Sequence, residues 1–133
     1  MTRSQRIIIV TDDAQSELLR GALAARGFDV TAATDYESAY RQLLETRFAL
    51  VVIDLVKTSA GVEFIKRVQG TTNLTQPLLL VIAEWGTGGA TLALSHGADA
   101  YEPRPVDAAR LVDSVERLLG TKALSARGKI GAE

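Results

Sequence analysis

Short apolar runs alternate with longer amphipathic stretches along this chain, and the alternation repeats five times. Ile7 to Val10 is a β-branched run that stops at Asp12-Asp13. After it Leu18, Leu19, Ala22 and Leu23 recur at helical spacing, and Gly27 follows as a natural helix stop. Val30 to Ala33 reads as a second, weaker strand. Thr34, with Glu37 three residues on, has the form of a capping box and opens a helix carrying Ala39, Tyr40, Leu43 and Leu44 on one face. A third strand runs from Ala49 to Ile53 and ends at Asp54. Val62, Ile65 and Val68 predict a short third helix. Pro77 precedes a fourth strand, Leu78 to Ile82, apolar on both faces. Ala90 to Ser95 reads as the fourth helix, with Gly97 as its stop, and Ala98 to Glu102 as the fifth strand. Asp107 then caps a last helix whose Leu111, Val112, Val115, Leu118 and Leu119 form one stripe, with Gly120 as its end.

Continuously apolar strands separated by crossover-length helices imply a parallel sheet covered on both faces. Right-handed crossovers restrict the topology to a doubly wound α/β fold. A length of 133 residues fits one domain of that kind, with a core that needs no staples. The expected division is a folded unit over 1–120 and a tail or linker over 121–133, where Lys122, Arg127 and Lys129 show little apolar periodicity. That segment is either a solvated tail or a connection to another domain.

Composition narrows the function. Fifteen Lys and Arg against sixteen Asp and Glu leave a formal charge of −1, so no basic field is available for gripping nucleic acid. Cysteine is absent, which removes thiolate nucleophiles and Cys-based zinc sites, and the single histidine, His96, argues against a Ser–His machine. The longest apolar runs, Phe48 to Ile53 and Leu78 to Ala83, are too short to span a bilayer, and Ile7 to Val10 is too short for a secretory signal. The expectation is a soluble, cytoplasmic module.

In an open parallel sheet, ligands sit outside the carboxyl ends of the strands. Asp12 and Asp13 fall there after the first strand, and Asp54 after the third. Three carboxylates on adjacent strand ends repel one another, so they call for a cation or for raised pKa values. Oxygen-only ligands suit Mg²⁺, which keeps several waters and uses few protein carboxylates. Helix capping by an aspartate is the simpler alternative, but it does not account for three acids on neighbouring strands.

The segments Ile7-Ile8-Ile9-Val10-Thr11-Asp12-Asp13, Leu50-Val51-Val52-Ile53-Asp54-Leu55 and Tyr101-Glu102-Pro103-Arg104-Pro105 resemble the receiver domain of bacterial two-component response regulators. The resemblance covers residues 6–120. It implies a flavodoxin-like strand order 2-1-3-4-5 and a phosphorelay role in which Asp54 accepts a phosphoryl group from a histidine kinase or phosphotransfer protein. By the same resemblance Asp13 ligates Mg²⁺ directly, Asp12 through water, and the backbone carbonyl of Val56 completes the protein ligands alongside Asp54. It implies no enzyme beyond Mg²⁺-dependent self-phosphorylation from small phosphodonors and self-dephosphorylation. Output, to a linked domain, a partner or a second copy of the chain, would run through helix four, strand five and helix five. Direct contact with nucleic acid or membrane is not expected.

Two switch positions depart from the family pattern. Receivers usually place Thr or Ser at the end of strand four, where this chain has Ile82, and Lys in strand five, where it has Arg104. Isoleucine cannot donate a hydrogen bond to a phosphoryl oxygen. Such a bond contributes roughly 1.5–3 kcal/mol, against the ~5.5 kcal/mol needed to reverse a two-state equilibrium from 1:99 to 99:1. A quarter to a half of the coupling is therefore at stake. Arginine keeps the charge but reaches differently from lysine. The bond before Pro105 is generally cis in receivers, which directs the basic side chain at the acids, so a cis Arg104-Pro105 bond is expected here. After Asp54 the loop also departs: Gly61 follows seven residues on, where eight is usual, and Thr58 stands near the place of the usual proline.

Other residues carry weaker signals. Tyr101 matches a mobile aromatic position of receivers, but with Ile82 filling the inward space it reads as an ordinary half-buried tyrosine. Glu84 either orients a hydrolytic water or faces solvent. Trp85 is either a lid or a partner contact. Gly86, Gly88 and Gly89 lack the phosphate-loop pattern and read as a flexible loop. Lys57 and His96 read as solvated and structural. A pseudo-receiver that binds a partner without phosphorylation is the second reading. An Asp-nucleophile phosphatase would want another acid soon after Asp54, where Leu55-Val56-Lys57 stand instead.

Overall fold

Apolar residues at every position of β1 (Arg6–Val10) past its first, and throughout β3 (Leu50–Asp54) up to its last, leave those strands no solvent-facing side. They form the centre of a parallel sheet completed by β2 (Asp29–Ala33), β4 (Leu78–Glu84) and β5 (Ala100–Arg104), in the order β2-β1-β3-β4-β5. Between them run α1 (Gln15–Ala24), α2 (Tyr36–Glu45), α3 (Thr58–Gln69) and α4 (Gly89–Ser95), with α5 (Ala108–Gly131) last. This is the doubly wound α/β fold expected from the pattern. The computed structural model describes residues 5–11, 15–55, 58–72, 74, 76–84 and 88–131.

Alternation along the strands divides the core in two. Ile8, Val10, Val51, Ile53, Leu79 and Val81 face Ala39 and Leu43 of α2, Phe64, Ile65 and Val68 of α3, and Ala93 of α4. Ile7, Ile9, Leu50, Val52, Leu80 and Ile82 face Leu19 and Leu23 of α1 and Leu111, Val112, Val115 and Leu119 of α5. Asp54, two residues after Val52, therefore belongs to the α1–α5 side.

Several boundaries differ from the pattern's prediction, each for a local reason. Thr34 does not cap α2; Asp35 does, its side chain accepting from the Ser38 amide at 2.7 Å. Glu37 instead pairs with Arg67 of α3 at 3.0 Å. Strand β5 begins two residues late because the end of α4 consumes Ala98. Gly97 takes a left-handed φ of 118°, and the Ala98 amide returns to the Ala93 carbonyl at 3.0 Å. The strand then runs through Pro103 to Arg104, which an edge strand tolerates because one side of it needs no amide donor. Helix α3 is longer than its apolar positions suggest, at 12 residues. Gly88 has a φ of 82°, so glycine at that position meets a backbone requirement rather than simple flexibility.

The largest difference is in α5. Asp107 caps it as expected, accepting from the Ala109 amide at 2.9 Å. Gly120 does not end it, and the helix continues to Gly131. Gly120 is not among the glycines with positive φ, so it supplies no left-handed stop. Its cost inside a helix is about 1 kcal/mol, and Lys122, Ala123, Leu124, Ala126 and Arg127 after it favour helix. The backbone thus crosses residue 120 without a break. Among the described residues no helix is long and apolar enough to cross a membrane.

The capping assignment can be tested by denaturation. Asp35→Ala is expected to lower stability by about 1 kcal/mol, whereas Thr34→Ala should stay within about 0.5 kcal/mol of the parent. A larger loss for Thr34→Ala in urea titrations would return the cap to Thr34.

Candidate functional site

Strand register brings one row of side chains together at the carboxyl edge of the sheet. Ile53 pairs with Val10, so Thr11, one residue further along, comes beside Asp54 on the β1 flank. On the β4 flank Asp54 pairs with Ile82, which in turn pairs with Glu102, and Glu84 pairs with Arg104. The Leu55 amide donates to the Ile82 carbonyl at 2.8 Å and the Thr11 amide to the Ala33 carbonyl at 3.0 Å, which pins both flanks.

Asp54 is 8% exposed, and its two oxygens have different partners. Oδ2 accepts the Thr11 hydroxyl at 2.9 Å. Oδ1 stands in an ion pair with Nη2 of Arg104. That contact lacks hydrogen-bond geometry: Oδ1 is buried with no hydrogen-bond donor among the described residues, while the same nitrogen donates to the Leu55 carbonyl at 3.0 Å. Charge is compensated at Oδ1, but its lone pairs are not used by a donor. The Arg104-Pro105 bond is cis, and the guanidinium lies against Asp54, both as the resemblance to receivers implies.

Ile82 is 2% exposed and packs in the cluster under α1 and α5, so the β4 flank of Asp54 is apolar and closed. Tyr101 is half-buried, as expected, but the reason differs. It packs against the other cluster, on the sheet face opposite Ile82, so Ile82 does not occupy its space. Glu84 is exposed at the end of β4 and has a partner of its own. Asp12, Asp13 and Val56, together with Lys57, Trp85 and Gly86, lie outside the described residues. Among the described residues no group of three or more acids or histidines stands together as a metal site, so of the proposed ligand set only Asp54 has a described position.

Two contacts around Asp54 escape sequence reasoning. Thr11 carries no signal of its own in the pattern, and only the β1–β3 register shows that its hydroxyl meets Asp54. Glu102 is a buried acid on the same row; it accepts from the Ser114 hydroxyl of α5 and has Arg110 at 3.8 Å. The twelve-residue separation of Glu102 and Ser114 carries no recognisable pattern. Their contact ties β5 to α5, beside Asp54 rather than at it.

No protein-family profile matches the chain. The DNA-binding response regulator MtrA of Mycobacterium tuberculosis is 31% identical over 120 residues, which are 89% of this chain and 52% of that protein. The corresponding MtrA of Mycolicibacterium paratuberculosis is 31% identical over 117 residues, 86% of this chain and 51% of the relative. The chain thus spans about half the length of these relatives. Among solved structures, the receiver domain of NtrX from Brucella abortus superposes with a TM-score of 0.74 at 25% identity, covering 86% of this chain and 98% of that one. The chemotaxis response regulator CheY4 of Vibrio cholerae gives 0.77 at 19% identity, covering 86% and 98%, and at that identity bears on the fold alone. Strand order, the position of Asp54 at the carboxyl end of β3, and this similarity in sequence together place the chain among the receiver domains of two-component response regulators.

Proposed function

We propose that the chain accepts a phosphoryl group on Asp54 from a histidine kinase or phosphotransfer protein, in a Mg²⁺-dependent step. The observation that carries this reading is the buried Asp54 carboxylate at the carboxyl end of the central strand, with a basic side chain, Arg104, set against it. In the transfer a carboxylate oxygen bonds phosphorus in line as the donor's bond to phosphorus breaks, and the electron pair leaves with the donor. Asp12, Asp13, Asp54 and the Val56 carbonyl would hold the ion, and a bound Mg²⁺ would neutralise charge on the transferring group. Arg104 covers Oδ1 in this arrangement and has the Leu55 carbonyl as a second acceptor. It can therefore turn from carboxylate to phosphoryl oxygens while remaining tethered.

A second reading rests on Ile82 and on the same Arg104 contact. An apolar β4 flank and a covered Oδ1 suit a constitutive partner-binding module that is never phosphorylated. In either case we assign output to α4, β5 and α5. Residues 121–133 would connect to any further domain, such as the DNA-binding part that the name of MtrA implies for that relative.

Incubation with Mg²⁺ and acetyl phosphate separates the two readings by intact mass. A phosphate-sized gain that disappears in Asp54→Asn is the expected result, and no gain at any time favours the constitutive module. Mg²⁺ binding is tested separately by melting. A ligand at ten times its Kd stabilises the native state by about 1.4 kcal/mol, so Tm should rise by a few degrees in saturating Mg²⁺. The rise should vanish in Asp13→Asn; an unchanged parent Tm would remove the metal from the proposal.

A further inference from the structure

The usual β4 hydroxyl is absent at Ile82, yet Asp54 still has a hydroxyl partner on its other flank. We propose that the Thr11 hydroxyl is a positioning group for the phosphoacceptor: it fixes Asp54 Oδ2, leaves Oδ1 as the attacking oxygen, and shortens the life of the acyl phosphate. The inference rests on the reading of Asp54 as phosphoacceptor.

An ionised carboxylate can only accept hydrogen bonds, so at 2.9 Å the Thr11 O–H must be the donor. The Thr11 amide bond to Ala33 and the burial of the side chain hold that donor in place. With Oδ2 engaged, Oδ1 is the oxygen left to attack, once the Arg104 guanidinium that pairs with it turns to the incoming phosphoryl oxygens. Attack by Oδ1 makes it the bridging oxygen of the acyl phosphate, and Oδ2 becomes the neutral carbonyl. No proton moves in that step. The Thr11 bond survives it but weakens, because a hydrogen bond to a charged oxygen is roughly twice as strong as one to a neutral oxygen. In hydrolysis, water bonds phosphorus as the phosphorus–Oδ1 bond breaks, and the electron pair returns to the carboxylate. The Thr11 donor strengthens as that negative charge returns, so it favours the leaving carboxylate.

Hydroxyl loss should therefore slow hydrolysis about three- to tenfold, the range given by the difference between hydrogen bonds to charged and neutral acceptors. The test phosphorylates parent, Thr11→Val and Thr11→Ser with acetyl phosphate and Mg²⁺, removes the donor, and follows the decay by intact mass. Expected are a half-life several times longer for Thr11→Val and one within twofold of the parent for Thr11→Ser, which keeps the hydroxyl. A change in packing alone would not be rescued by serine, which lacks the methyl group. If the valine variant does not fold, Thr11→Ala carries the same expectation. Equal decay of Thr11→Val and parent overturns the inference, as does serine decay matching valine, or a valine variant that takes up no phosphate when the parent does. A parent that gains no phosphate overturns the phosphoacceptor reading itself, and this inference with it.

Discussion

The β1–β3–β4 register is the constraint on which the site depends. Because the three strands run in one direction, their carboxyl ends open onto the same edge, and the pairing of Val10 with Ile53 and of Asp54 with Ile82 decides what flanks the acid. A slip of one residue would exchange the two buried faces of β3, sending Asp54 into the cluster under α2 and α3. The side chains of Leu50 to Ile53 fill the two cores alternately, so the packing that seats them also aims the carboxylate. Packing and chemistry are specified by the same four residues.

Around that acid the environment is unbalanced. Thr11 and Arg104 reach it from opposite sides of β3, one with a neutral donor and one with a charge, while Ile82 closes the gap between Asp54 and β5 with methyl groups. A buried carboxylate without such partners would be costly, and removal of one member of a buried pair typically costs ~3–5 kcal/mol. Asp54 is thus oriented by two residues from the ends of two different strands. Ile82 contributes shape to the site but no hydrogen bond.

Much of this was legible from the amino-acid pattern, and the failures have physical causes. The order of elements, the α/β class and the placing of Asp54 follow from apolar runs and from residues at strand ends, which are local signals, whereas the placing of Arg104 follows from the resemblance to receivers. The cap of α2 was misplaced by one residue because Thr34 and Asp35 are both good caps, and only the backbone decides which side chain reaches the Ser38 amide. The start of β5 was missed because Ala98 suits a strand but is claimed by the α4 terminus. Thr11 and Glu102 stayed hidden for a different reason: their partners, Asp54 and Ser114, are contacts of tertiary structure with no spacing rule.

The unbroken course of α5 past Gly120 has a mechanical consequence. The stripe from Leu111 to Leu119 fastens the first half of the helix to the sheet, and the helix runs on from Leu119 to Gly131. At 1.5 Å per residue that extension is about 18 Å long. Any motion of that extension pivots at Leu119, the last residue of the stripe that packs in the core. A tilt of about ten degrees at that pivot displaces the far end by about 3 Å.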